Sequence, residues 1–451
     1  MRKILLLSLI AILSIGKSNV ALAQKDDIQK KVDEYIDAHM QMNQFSGSIL
    51  IAKNEQILVN KGYGFANYEF DIKNTPVTKF RIGSLTKGFT AVAILQLEEK
   101  GLLTLDDNLQ KFIPDYPRGN EITIKNLLTH TSGIPNHTEL EDFNKERRVY
   151  EYSIIETIET FKNKALEFNP GEEFNYSNSN YILLGLIIEQ VSLMSYEEYV
   201  KHNIFEPLNM KNSGFEYPQK VIKNLTQGYC INDNEIEKAK FRNMSNAHAS
   251  GALYSTTEDL YKWDRALYSE KLISNESKEK MFTEFKDNYG FGWGIVNVFN
   301  HKMIAHSGDI DGFTSNISRF INDDISIIIL SNFEQTPINR INIDLISIVF
   351  DKKYTIPKII KSIKLSNNIL QSFVGEYELQ PGFVFSVSFN DDKLLCQATG
   401  QPKLELTPIS ESEFMVKEAN VKISFEKNSN QEIEKLILHQ GDKQYPAPKI
   451  E

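Results

Sequence analysis

Strand signals stand at both ends of a long stretch in which helix signals dominate, and that order limits the folds open to this chain. Ser48 to Lys61 reads as two strands, with Ile49, Leu50 and Ile51 before a turn at Lys53-Asn54-Glu55 and Ile57, Leu58 and Val59 after it. Met303-Ile304-Ala305 and the apolar run from Ile325 to Leu330, broken only by Ser326, bring strand character back. From about Leu102 to Pro218 the chain reads as largely helical. One apolar face there comprises Ile154, Ile155, Ile158 and Phe161, another Leu183, Leu184, Ile187, Ile188 and Val191. If the early and late strands share one antiparallel sheet, the result is an α+β domain with its ends together, helices flanking the sheet and a helical insertion within it. Ile28, Val32, Tyr35, Ile36 and Met40 mark an amphipathic helix ahead of the first strand. Thr256 with Asp259 resembles a capping box before Leu260, Trp263 and Leu267.

The pattern changes around Ile356-Pro357-Lys358. Phe383, Phe385, Val387 and Phe389 alternate strictly, as do Val421, Ile423 and Phe425. Residues 360–451 therefore read as a separate small antiparallel β domain, a barrel or a sandwich, after a main domain spanning 24–355. Met1-Arg2-Lys3, an apolar run from Ile4 to Gly16 and the small-x-small triplet Ala21-Leu22-Ala23 read as a secretory signal peptide over 1–23. The apolar core is short for a membrane span; retention as an uncleaved anchor is the minor reading. The expected location is the periplasm or the exterior of a bacterial cell envelope.

A net charge of -10 without basic clusters argues against nucleic acid as a partner. The two cysteines, Cys230 and Cys396, fall in different domains, which argues against a disulfide. No Cys/His group has metal-ligand spacing, so neither metal nor other cofactor is expected. Asp309-Ile310-Asp311-Gly312 has the opening of a calcium loop but lacks its later ligands.

The chemistry points to Arg81-Ile82-Gly83-Ser84-Leu85-Thr86-Lys87-Gly88-Phe89. Leu85, Phe89, Val92, Ala93 and Leu97 recur at helical spacing, which predicts a buried helix ending near Lys100-Gly101. Residues three apart share a helix face, so a hydroxyl and an amine stand side by side. A lysine buried at the head of an apolar helix has a lowered pKa and can take the serine's proton. Ser-x-x-Lys also occurs at Ser14/Lys17, Ser277/Lys280 and Ser424/Lys427, so the setting, not the spacing, selects Ser84. Tyr176-Ser177-Asn178 is the second element; among 19 tyrosines only this one has asparagine two residues on. Its phenol can share protons with a lysine, and its asparagine can orient lysine and substrate. His306-Ser307-Gly308, expected at the end of a strand, is the third. His439-Gln440-Gly441 matches the same pattern, but His306 lies in the strand expected to return beside Ser84. His130, in Leu128-Thr129-His130-Thr131-Ser132-Gly133, is assigned a loop-ordering role.

Ser-x-x-Lys, Tyr-x-Asn and a basic-x-Gly triplet, in this order, resemble the signature of the penicillin-recognising serine hydrolases. The resemblance is to the class C β-lactamase-like group, with its DD-carboxypeptidases, D-aminopeptidases and esterases. It runs from about Phe45 to Phe333 and is reinforced by Leu127 to Gly133, Phe205 to Met210 and Ser250 to Thr256. With its β tail the whole chain looks like the penicillin-binding-protein E type. The resemblance implies a β-lactamase/transpeptidase-like fold. It also implies Ser84 as acylated nucleophile, Lys87 and Tyr176 as its activators, and Asn178, His306 and Gly308 as substrate-binding residues. The backbone amides of Ser84 and Asp309 would form the oxyanion hole. One departure matters: many relatives carry lysine where this chain has His306, and histidine is mostly neutral at pH 7. That disfavours penicillin hydrolysis, and it predicts that carboxylate substrates gain as pH falls from about 7.5 to 6.

The reading is an exported serine hydrolase that works through an acyl-serine on D-amino-acid peptides or amides, peptidoglycan-derived peptides or small esters. The alternatives are a penicillin-binding or cell-wall sensor protein that does not turn over, and a β-lactamase. The expected partners are a small-molecule or peptide substrate and peptidoglycan; the sequence leaves the oligomeric state open.

Overall fold

The computed structural model describes residues 25–450, apart from 142, 144–146, 233–234, 359–361, 417–420 and 441–442. The leader assigned to 1–23 lies outside the described residues. The chain forms two units, one running to Pro357 and the other from Lys358.

The first unit is built on a six-stranded antiparallel sheet. Helix α1 spans 25–41, followed by β1 (Gly47–Lys53) and β2 (Gln56–Tyr63). Helices α2 (Thr86–Glu99), α3 (Asn178–Ser192) and α4 (Thr257–Ala266) come next. Strands β3 (Gly294–Val298), β4 (His301–Ile310), β5 (Phe313–Phe320) and β6 (Ile325–Ser331) and helix α5 (Ile338–Val349) complete it. The order across the sheet is β3-β4-β5-β6-β1-β2. Early and late strands thus meet at the β6–β1 pair, where Ile49 faces Ile329 and Ile51 faces Ile327.

The apolar run Ile325 to Leu330 is buried throughout because both faces of its strand are covered. Side chains alternate between faces along a strand. Ile325, Ile327 and Ile329 pack with Ile28, Val32 and Ile36 of α1 and Ile341 and Leu345 of α5. Ile328 and Leu330 join the opposite core, with Phe89 and Val92 of α2 and Trp263 of α4. Helix α2 is buried from Thr86 to Leu97 on all sides. It is the post around which the insertion packs.

The stretch from Leu102 to Pro218 is less helical than its apolar spacing suggests. Besides α3 its described α-helices are short: Ile124–Leu128, Ile154–Glu159 and Tyr196–Val200. Pro114, Pro117, Gly119, Pro135, Pro170 and Gly171 interrupt it. Ile158 and Phe161 are buried as expected, but Ile155 points to solvent. Thr256 does cap α4, accepting from the Asp259 N–H at 3.2 Å. The Asp259 carboxylate faces Asn212 and Ser213 instead of closing the box.

The second unit is an eight-stranded antiparallel sheet in simple up-and-down order, from β7 (Gly375–Gln380) to β14 (Lys443–Pro448). Its first and last strands approach each other: Ile450 N–H donates to the Glu376 carbonyl at 2.9 Å, and Tyr377 bridges Lys449. The architecture is therefore a near-closed barrel rather than a sandwich. Phe373, Tyr377, Leu394, Phe414, Phe425 and Leu436 fill its interior. Cys230 and Cys396 are both free thiols.

Candidate active site

Ser84 sits on a single tight turn, Gly83–Leu85, just ahead of α2 rather than on the helix itself. Residues three apart eclipse one another in such a 3-10 turn, so Ser84 and Lys87 still face the same way. Lys87 Nζ lies 3.0 Å from Ser84 Oγ. The turn requires Gly83, whose φ is +50°.

Ser84 is partly exposed, whereas Lys87 is fully buried. Besides Ser84 Oγ, the amine meets Asn178 Oδ1 at 2.7 Å and the Ser250 carbonyl at 2.8 Å. Burial holds its pKa well below the ordinary lysine value. A neutral amine has two N–H bonds and one lone pair. The two carbonyl oxygens take both protons, so the lone pair is left for the Ser84 hydroxyl.

Asn178 is the first residue of α3. Its amide is fixed from behind: Nδ2 lies 3.3 Å from Asn136 Oδ1 and 3.2 Å from Thr138 Oγ1. The Asn178 N–H also donates to Asn136 Oδ1, at 3.1 Å. Tyr176 lies across the amine, with its ring centroid 4.8 Å from Lys87 Nζ. Burial raises its pKa, opposed by a hydrogen bond with the Ser84 side chain, so the phenol keeps its proton. The fully buried His130 holds this loop from two sides. Its Nδ1 accepts from Ser177 N–H at 3.1 Å, and its carbonyl accepts from Asn175 N–H at 3.0 Å.

His306 lies within β4, not at its end, because the strand continues to Ile310 against β5. The strand lies directly against the Ser84 turn. A Cβ on Gly308 would sit 2.2 Å from the Ile82 carbonyl and 2.9 Å from Ser84 N, and one on Gly83 would sit 3.0 Å from Asp309 N. The amide nitrogens of Ser84 and Asp309 are therefore neighbours at the turn–strand junction. His306 Nδ1 lies 2.5 Å from the Ser307 carbonyl and Nε2 lies 2.9 Å from the Tyr289 hydroxyl. Burial, and then the Lys87 amine, lower its pKa to about 4. The expected titration between pH 7.5 and 6 is thereby corrected: His306 stays neutral through that window.

Tyr289 and Asn136 escaped the sequence reading. Both follow readable landmarks: Asn136 trails the Leu127 to Gly133 stretch, and Tyr289 opens the aromatic–glycine alternation Tyr289-Gly290-Phe291-Gly292-Trp293-Gly294. Asp311, in the discounted calcium-like segment, is paired with Arg148 and Arg242. Among the described residues no group of His, Cys, Asp or Glu side chains is arranged to hold a metal.

Known proteins resemble this chain over most of its length. The Beta-lactamase family model matches residues 32–349. Penicillin-binding protein 4* of Bacillus subtilis (strain 168) is 29% identical over 434 residues, 89% of this chain and 94% of that protein. The octameric penicillin-binding protein homologue from Pyrococcus abyssi superposes with a TM-score of 0.69 at 28% identity, over 93% of this chain and 99% of that one. The D-amino acid amidase from Ochrobactrum anthropi SV3 shares the fold, with a TM-score of 0.65 at 21% identity over 73% of this chain and 99% of that one. The chain belongs to the β-lactamase family of penicillin-binding-protein-like serine hydrolases.

Proposed function

We propose that this protein is an exported hydrolase that acts through an acyl-Ser84 intermediate on D-amino-acid amides and peptides, including peptidoglycan-derived ones, or on small esters. The observation that carries the reading is the buried Lys87 amine, which donates to two carbonyl oxygens and lies 3.0 Å from Ser84 Oγ, so that in its neutral form the lone pair is left for that hydroxyl. In the first step Ser84 Oγ attacks the substrate carbonyl and its proton passes to Lys87. The amides of Ser84 and Asp309 receive the oxyanion. Tyr176, kept protonated, hands a proton to the leaving amine or alcohol and is reprotonated from Lys87. A water then repeats the sequence against the acyl-enzyme, with Asn178 holding Lys87 and the substrate amide. Gly308 leaves room for the substrate backbone along β4.

The D-amino acid amidase that shares this fold supports the amide assignment. The leader pattern over 1–23 supports export, and the hydrolase domain is taken as 24–355 with the β domain as 360–451. A neutral His306 weighs against a penicillin as natural substrate, because it offers the ring-fused carboxylate no cation.

The test is steady-state turnover by the purified mature protein of D-amino-acid amides, D-Ala-D-Ala peptides, p-nitrophenyl esters and β-lactams, with Ser84→Ala as control. Sustained turnover of an amide or ester, lost in the variant, is the expected result. A single stoichiometric burst on every substrate would instead make the protein a sensor or binding module.

A further inference from the structure

The third motif of this site has both its imidazole nitrogens occupied from within the protein. A carbonyl oxygen can only accept, so the 2.5 Å approach of His306 Nδ1 to the Ser307 carbonyl places the ring proton on Nδ1. Nε2 of the neutral ring is then a bare acceptor, and the Tyr289 hydroxyl, 2.9 Å away, donates to it. Tyr289 is held in turn by aromatic packing, with ring centroids 5.0 Å from His130, 5.6 Å from Phe174 and 6.3 Å from Tyr176. Nothing on the imidazole is left to donate to a ligand.

We propose that Tyr289 is a specificity-determining residue: by filling His306 Nε2 it makes the third motif a neutral wall, and the site selects substrates that carry no carboxylate on the side facing β4. This rests on the acyl-Ser84 reading and narrows its substrate class to amides, esters and internal peptide bonds, against terminal carboxylates and penicillins.

Protonating His306 would require the Tyr289 hydroxyl to turn away from Nε2 and would place a charge on a ring whose burial disfavours it. Lys87 approaches from α2 and His130 from the insertion. Asp309, on the same strand, is the acidic group closest in sequence; burial and Glu334 raise its own pKa. Tyr176 and Tyr289 remain protonated.

Two measurements test this. The first compares kcat/KM for a D-alanyl-D-alanine peptide with that for the matching C-terminal amide, in wild type and Tyr289→Phe, between about pH 7.5 and 6. In wild type the carboxylate-to-amide ratio stays flat. In the variant Nε2 is free to take a proton, and the ratio climbs as pH falls, by about threefold to tenfold, the worth of one hydrogen bond to a charged group in a partly wet site. A ratio in Tyr289→Phe that matches wild type at every pH overturns the proposal. Taking a ratio removes any general loss of activity from the comparison.

The second needs no catalysis and no variant of Tyr289. Long-range nitrogen–proton NMR on histidine-labelled wild type, with His306 assigned by His306→Gln among the eight histidines, reports the tautomer. The expected spectrum shows a neutral ring protonated at Nδ1 throughout that pH range. A ring protonated at Nε2, or one titrating near the ordinary histidine value, overturns the proposal even where Tyr289→Phe does not fold. If Ser84→Ala kept full activity while the tautomer was as described, the acyl-enzyme reading would fall and the assignment of His306 would stand.

Discussion

Tyr176 and Lys87 divide the proton between them according to their surroundings. Burial works against the charged form of each, so it lowers the amine's pKa and raises the phenol's. Burial thus favours the neutral amine and the neutral phenol, the forms that the proposed base and acid need. Replacing Tyr176 with phenylalanine keeps the ring that packs 4.3 Å from His130 and removes only the proton relay. The expected loss in kcat is about 10²–10⁴-fold, the usual worth of a general acid–base group, with an unchanged thermal midpoint. A loss below roughly threefold would make the tyrosine a packing residue. Ser84, Lys87, Tyr176 and Asn178 were legible because their side-chain types and order carry the chemistry themselves. Tyr289 was not, since its importance lies in a contact with His306 across 17 positions of chain, and nothing local marks a tyrosine as the partner of a particular ring nitrogen.

Strand β4 and the Ser84 turn touch backbone to backbone, and Gly308 makes that possible. An added methyl would meet the Ile82 carbonyl, the Ser315 hydroxyl and Ser84 N, all within 2.9 Å. Two of these are main-chain atoms of the turn, which cannot yield without moving the nucleophile. Gly308→Ala is expected to cost about 1–3 kcal/mol of stability from overpacking, seen as a lower urea midpoint. It is also expected to cut kcat/KM by more than the roughly tenfold that binding loss alone would give, through displacement of Ser84. A variant of wild-type stability and activity would mean that β4 does not abut the turn. The strands themselves were readable, because alternation and the isoleucine-rich run from Ile325 to Leu330 point to strands of a sheet. The insertion is less helical than its spacing suggests for a physical reason: apolar spacing reports which residues are buried, but it does not report whether the backbone between them is held by helix bonds. In 102–218 part of it is held by side chains instead, as where Ile134 N–H donates to Ser132 Oγ at 3.1 Å and Ser177 N–H donates to His130 Nδ1 at 3.1 Å. The end of β4 was misplaced because the glycine of His306-Ser307-Gly308 looks like a strand break, when it is a point of close approach inside the strand.

The first unit buries several histidines in neutral form, and this sets its response to acid. Burial holds His137 at about 3 and His306 at about 4, and places His130 well below its ordinary value. The unfolded chain takes up protons on these rings near the ordinary value of 6.5, while the folded chain does not. Stability is therefore full above about pH 7 and is lost as pH falls through 6.5 toward 4, by about 2 kcal/mol for each of His137 and His306 on reaching pH 5. Scanning calorimetry across that range should show the transition of the larger unit falling steadily. A midpoint unchanged between pH 7 and 5 would contradict the buried neutral rings. The second unit has its own packed interior, with Phe414 edge-on to both Phe373 and Phe425 and those two rings tilted against each other, and its strict alternation made it legible from the sequence. Its closure was not, because the meeting of Glu376 with Ile450 depends on how far the sheet curls. For the whole chain, the proposed hydrolysis depends on a covalent bond at Ser84. Intact-mass spectrometry after incubation with a fluorophosphonate probe, followed by peptide mapping, reads that bond. The expected result is one adduct per chain, on the peptide containing Arg81-Ile82-Gly83-Ser84, absent in Ser84→Ala. An adduct on any other residue, or none while the protein turns over a substrate, would contradict it.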